Sequence, residues 1–148
     1  MKKITAFGIC LYRVINKKNI EILLCKSVKS ELKWGLLKGV SENKESSIQT
    51  ALREFEEESS IYVDKKYLEN YFEQKNTDKD IGIWLVDINN ISNWGQYFTN
   101  GSLKENLLSW ENSKAKFYNL NNLPPIKKKQ ITLIKDIKDY FENIHQYH

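Results

Sequence analysis

Apolar residues fall along this chain in short, nearly unbroken runs between polar turns, and two stretches instead repeat them every three to four positions. Residues 4–14 (ITAFGICLYRV) and 20–26 (IEILLCK) are β-branched, aliphatic or aromatic, and the polar NKKN between them predicts a turn joining two paired strands. Their near-continuous apolarity, where alternation would leave one face wet, predicts a sheet covered on both faces. A third apolar piece runs from Trp34 to Leu37 and ends at Lys38 and Gly39. Ile48, Ala51, Leu52 and Phe55 then recur at helical spacing, which predicts an amphipathic helix over 47–59 with Ser46 or Ser47 as its N-cap.

Beyond that helix, residues 67–74 and 81–88 read as strands around a KNTDKD turn, and 89–109, rich in Asn, Ser and Gly, reads as a long loop of the kind that tends to be functional. Residues 115–120 make a last strand, which Pro124 and Pro125 stop. Ile131, Ile134, Ile137, Phe141 and Ile144 mark a C-terminal amphipathic helix. Strands with one helix in the middle and one at the end predict a mixed α/β sandwich. Trp34 and Trp84, both on strands, are expected to be packing residues.

Composition narrows the class. The 148 residues, 41% of them apolar, are one domain's worth of chain, and we expect 1–148 to form a single domain. No run reaches the eighteen or so apolar residues of a membrane span, and the basic N-terminus lacks a small-residue cleavage site, so the expectation is a soluble cytoplasmic protein. Cys10 and Cys25, the only cysteines, lie in apolar runs and read as core thiols. His145 and His148 read as a terminal tail and not as a metal site.

The net charge of +4 hides an uneven distribution. Ten basic side chains face four acidic ones in residues 1–45, whereas residues 46–63 carry Arg53 against Glu54, Glu56, Glu57 and Glu58. Glu54, Glu57 and Glu58 stand at i, i+3 and i+4, which puts three carboxylates on one side of the predicted helix. Each like-charge pair costs an exposed helix about 0.2–0.5 kcal/mol. A divalent cation removes that objection, because Mg²⁺ prefers hard oxygen ligands. Arg53 beside them can hold one carboxylate by a bidentate contact.

The whole segment GVSENKESSIQTALREFEEESSI resembles the signature of the Nudix hydrolases: Gly39, Glu45, Arg53, Glu54, Phe55, Glu57, Glu58 and Ile61 all stand at that family's spacing. A chance match of the glycine, the four glutamates and the arginine, at frequencies near 6% each, has odds of about one in 10⁵ over a chain of this length. Two departures stand out. Ser60 replaces the second motif glycine, and Leu37 stands where many members carry proline. The first predicts an altered helix exit, because a left-handed residue there costs non-glycine side chains roughly 1 kcal/mol. The second predicts a looser turn into Lys38.

The resemblance implies a Nudix-type α/β/α sandwich with a mixed central sheet, and hydrolysis of a diphosphate linkage with Mg²⁺, or Mn²⁺ as its substitute. It implies that Glu54, Glu57, Glu58 and the main-chain carbonyl of Lys38 hold the metal, with Arg53 and Glu45 orienting the carboxylates. The group that takes the proton from the attacking water is Glu54 or Glu111, the latter standing six residues before Phe117 where many members place an acid. WGLLKG resembles the lead-in of diadenosine tetraphosphate hydrolases, so the expected substrate is a dinucleoside polyphosphate or a nucleoside triphosphate. The alternatives are the 5′ end of an RNA and a non-catalytic nucleotide sensor. Lys38 and Lys44, with Lys33, are candidate phosphate contacts, and Trp94, Tyr97, Phe98 and Trp110 are candidate platforms for a nucleobase. The Lys127–Lys129 cluster is expected to be solvated.

Overall fold

The computed structural model describes residues 4–29 and 32–146. His148 lies outside the described residues, as does the side chain of His145. Strands β1 (Ile4–Ile15) and β2 (Asn19–Ser27) form the predicted antiparallel pair, joined by a turn in which Asn16 and Lys17 both take positive φ. That handedness matches the twist of the two strands it connects.

β1 is the hub of a mixed sheet. Its C-terminal half pairs with β2, its N-terminal half pairs antiparallel with β4 (Leu37–Val40), and its other edge runs parallel to β6 (Lys79–Asp87). β5 (Tyr71–Gln74) borders β6, while β9 (Asn112–Asn119) and the two-residue β3 (Trp34–Gly35) border β2. The pleat sends alternate residues to opposite faces. Cys10, Tyr12, Ile22, Leu24, Ile81, Ile83 and Leu85 meet helix α2 (Ile131–Gln146), whereas Ile9, Leu11, Leu23, Cys25 and Val86 meet helix α1 (Ser47–Ser59). The unbroken apolar runs therefore have their predicted cause: both faces are covered, and each fully buried aliphatic side chain contributes roughly 1.5–3 kcal/mol.

Three elements differ from the sequence expectation. The strand predicted from residue 67 starts at Tyr71, because the Asp64 carboxylate accepts from the Lys66 amide at 3.1 Å and caps a short 3₁₀ turn over Lys65–Tyr67. The predicted loop 89–109 contains a small hairpin, β7 (Phe98–Thr99) and β8 (Ser102–Leu103), whose turn residues Asn100 and Gly101 both have positive φ. Asn-Gly is a strong two-residue hairpin signal, but the flanking strands are too short to show a period of their own. Leu37 does not loosen its turn: it is fully buried on β4 opposite Ile9.

Candidate active site

Helix α1 is set by its own ends. The Ser46 hydroxyl accepts from the Gln49 amide at 3.1 Å while the Gln49 side chain accepts from the Ser46 amide at 2.9 Å, a reciprocal cap that fixes where the helix begins. At the other end Ser60 takes the left-handed conformation, φ 66°, in place of glycine, and its hydroxyl donates to the Leu107 carbonyl at 2.9 Å. The altered exit expected from the sequence is thus the usual left-handed exit, its cost offset by a bond that glycine could not make.

Inside these caps, Ala51 and Phe55 are buried against the sheet and fix the rotation of the helix, which turns the acidic positions toward β4 and β9. The Glu54 carboxylate lies directly on Gly39 of β4, where a Cβ would overlap it. Gly39→Ala is therefore expected to push Glu54 out of place, lowering turnover at least tenfold with only a small change in melting temperature; equal turnover in the variant would show that Glu54 does not need this seat.

Arg53 organises the cluster more extensively than the sequence suggests. Its Nε and Nη2 donate to the two Glu45 oxygens at 2.7 and 2.9 Å, and its Nη1 donates to Glu54 at 2.7 Å and to Glu57 at 3.1 Å. Nη2 also donates to the Val40 carbonyl at 3.1 Å, and Glu42 lies 3.4 Å from Nη1. Glu45, which accepts in addition from the Thr50 hydroxyl at 2.8 Å, is held down to a pKa of about 2, chiefly by the Arg53 contact. The mutual repulsion expected of the carboxylates is thus relieved within the chain by one guanidinium.

Glu58 is the exception. It is buried, 9% exposed, and burial raises its pKa to about 7 against the opposing pull of Asn112 and Lys38. Its Oε1 accepts from Asn112 Nδ2 at 3.3 Å, and its Oε2 is buried with no hydrogen-bond partner among the described residues. Burial likewise raises the pKa of Glu54. Asn112 is the site residue that the sequence reading missed. It is buried at the start of β9, and only the pairing of β9 with β2 brings it to Glu58. Glu111, directly before it, is exposed, and its charge acts on both Glu54 and Glu58.

The remaining candidates separate. Lys38 pairs with Gly8, and a Cβ on Gly8 would crowd the Lys38 Cβ, so this side chain leaves the sheet on the α2 face, opposite to Gly39 and Glu54. Burial and the charges of Lys127 and Lys79 lower its pKa. Lys44 is exposed, as is Lys33, and Lys44 takes a positive φ in the loop ahead of α1. Phe98 is buried against Phe117, with ring centroids 5.1 Å apart, and Trp94 and Tyr97 pack against the same core. Burial makes Phe98 unavailable as a platform. Trp110 differs from all three, at 82% exposed. Trp34 and Trp84 are packing residues as expected, stacked edgewise on Tyr118 and tilted against Tyr71. Cys10 and Cys25 are buried thiols, and burial pushes Cys25 up to about 12. Among the described residues no helix is long and apolar enough to cross a membrane.

Among the described residues no three acidic, histidine or cysteine side chains form a ready-made ion cage, because Arg53 holds Glu54 and Glu57. The donor set nevertheless fits a hard divalent cation. The Glu58 Oε2 is orphaned, Glu57 is exposed enough to swing away from Arg53, and the Gly39 backbone leaves room at Glu54.

Solved structures share this architecture. The chain resembles a Caenorhabditis elegans Ap4A hydrolase in a binary complex (TM-score 0.59, 19% identity, covering 97% of this chain and 96% of that one). It resembles the NUDIX domain of Shewanella oneidensis NrtR complexed with ADP-ribose (TM-score 0.67, 16% identity, 95% and 89%). A MutT protein from Methanosarcina mazei Go1 is similar over 98% of both chains (TM-score 0.59, 20% identity). At these identities the likeness speaks for the fold. None of the curated proteins matches the sequence. The family model of the NUDIX domain matches residues 2–137, the signature spacing included, and the chain therefore belongs to the NUDIX family of hydrolases, which act on phosphoanhydride bonds.

Proposed function

We propose that this protein is a Mg²⁺-dependent pyrophosphohydrolase that cleaves a diphosphate linkage in a dinucleoside polyphosphate, such as diadenosine tetraphosphate, or in a nucleoside triphosphate. The observation that carries the reading is the buried, unpartnered Oε2 of Glu58 beside Glu54 and Glu57, a cost the fold bears without return unless a cation completes it. Glu54, Glu57, Glu58 and the Lys38 carbonyl would hold the ion, and Mn²⁺ would substitute. Such an ion would supply neutralisation of the diphosphate and a lowered pKa for the attacking water.

The chain's own groups do the rest. Arg53 and Glu45 hold Glu54 in orientation, and Asn112 holds one oxygen of the Glu58 carboxyl, leaving the other for the ion. Glu111 receives the proton as the water oxygen bonds to phosphorus and the bridging oxygen leaves with its electron pair. Glu54 is less suited to that task, because one of its oxygens is engaged by Arg53, whereas the Glu111 carboxylate is exposed and makes no hydrogen bond to a described residue. The dinucleoside preference draws support from the WGLLKG lead-in and from the Ap4A hydrolase among the structural neighbours.

The test is product formation with Mg²⁺ from diadenosine tetraphosphate, nucleoside triphosphates, ADP-ribose and 5′-triphosphorylated RNA in parallel, with a chelator and Glu57→Gln as controls. Turnover of the first or second class, lost on chelation and reduced at least about 100-fold in the variant, is expected, since even groups that only support a metal ligand cost 10–100-fold. Turnover of RNA alone would replace the substrate reading, and no turnover of any would reject it.

A further inference from the structure

The nucleobase platforms expected from the sequence reduce to one fully accessible ring, and its surroundings suit a nucleoside. Trp110 and Glu111 line the same cavity of about 290 Å³, together with Ser27, Val28 and Lys29. The walls are therefore an indole, an aliphatic side chain, one cation and the acid that borders the carboxylate cluster. Trp110 is 82% exposed, so its ring is open to a ligand. The chain just after Trp110 is anchored: the Val28 amide donates to the Glu111 carbonyl at 2.9 Å, and the Asn112 side chain donates to Glu58 at 3.3 Å. A second cavity of about 410 Å³ shares Val28 with the first and is lined by Lys26 and Lys114, which adds two cations to the neighbourhood. A larger cavity, about 530 Å³ at Lys75–Asp78 and Lys128–Lys129, offers no aromatic surface, and its Lys129 is already paired with Asp78 at 2.6 Å.

We propose that the Ser27–Lys29 and Trp110–Glu111 cavity seats the nucleoside end of the substrate, the base stacking on Trp110 and the phosphates passing Lys29 toward Glu111 and the carboxylates of α1. The seat rests on the hydrolase reading for its substrate but not for its existence. It requires an aromatic ring and an anion in one ligand, which a nucleotide supplies and a bare sugar phosphate does not. Stacking of this kind is worth about 1–3 kcal/mol per base, or roughly 5- to 150-fold in affinity.

The test titrates metal-free protein with AMP, and with ribose 5-phosphate as the base-free control, following tryptophan fluorescence in the unaltered protein and the heat of binding in every variant. Trp34 is buried and Trp84 and Trp94 are partly so, which leaves Trp110 as the ring most open to a ligand. AMP is expected to quench and ribose 5-phosphate is not. Trp110→Ala should lose the quench and weaken AMP about tenfold, Trp110→Phe should recover most of the affinity, and in turnover Trp110→Ala should raise KM about tenfold while lowering kcat far less. Because the ring is exposed, neither variant threatens the fold. Equal AMP affinity in Trp110→Ala, or equal response to ribose 5-phosphate, would overturn the seat. Loss of turnover in the unaltered protein would count against the hydrolase reading alone, since the titration needs neither metal nor chemistry.

Discussion

Replacing Glu58 with glutamine is expected to make the metal-free protein more stable and nearly inactive. The carboxyl is 9% exposed, and among the described residues one oxygen is bound by Asn112 and the other has no partner, so the fold holds its ionised form at a cost. With the folded pKa raised to about 7, the folded state binds the proton more tightly than the unfolded chain, whose glutamates titrate near 4.3. The stability that this group contributes is therefore complete below about pH 4, and is lost as pH rises through about 7. Glutamine keeps the shape without the charge. The variant should gain on the order of 2 kcal/mol at pH 8 in a chelator, nothing near pH 4, and a melting temperature higher by roughly 4–8 °C at pH 8. Turnover should fall about 100-fold or more. Mn²⁺ should raise the melting temperature of the unaltered protein at pH 8 and leave the variant unmoved. Melting curves at pH 4 and 8, with chelator and with Mn²⁺, read all of this, and a variant that is active and no more stable would refute the role given to Glu58.

Removing Arg53 should do the reverse to stability. Its guanidinium touches Glu45, Glu54, Glu57 and the Val40 carbonyl from a position only 22% exposed, so Arg53→Met leaves three carboxylates facing one another with no cation among them. Breaking a substantially buried network from one side costs on the order of 3 kcal/mol. Arg53→Lys should recover little of it, because an ammonium cannot present two parallel donors to Glu45. The pH dependence follows from Glu45. With its folded pKa depressed to about 2, the stability it contributes is present above about pH 4.3 and lost as pH falls through about 2. Without Arg53 that acid-side loss should disappear, because the group then titrates alike in both states. Mg²⁺ should restore part of the stability by replacing the missing positive charge. Denaturant melts at pH 7 and pH 3, with and without Mg²⁺, would show it, and a loss under 1 kcal/mol would mean that the network is ornamental.

Helix α1 was legible in the sequence because everything that makes it is local. Ser46 and Gln49 cap it, Ala51 and Phe55 fix its buried stripe, and a spacing of three and four residues puts Glu54, Glu57 and Glu58 on one side whatever lies beneath. The continuous strands of β1 and β2 were legible for the same reason, since coverage of both faces is written into each run. The two-residue strands of β7 and β8 were not, because two residues carry no period, even though the Asn100–Gly101 turn between them was visible.

Strand pairing decided what spacing could not. One residue of register sends a side chain to the other face of a sheet. Lys38 opposite Gly8 therefore leaves on the α2 side, while Gly39, its neighbour, receives Glu54. Asn112 reaches Glu58 only because β9 lies against β2, at a separation of 54 residues that no local pattern encodes. Exposure was decided in the same way: Trp94, Tyr97, Phe98 and Trp110 look alike in the sequence, and packing against Phe117 and the α1 core withdraws the first three and leaves Trp110 open. The sequence by itself determined the chemistry that α1 carries, because a helix computes its own neighbours; the burial of Glu58, the partner that holds it and the ring left open to a ligand arose only when distant strands met, because burial and pairing are properties of the packed sheet.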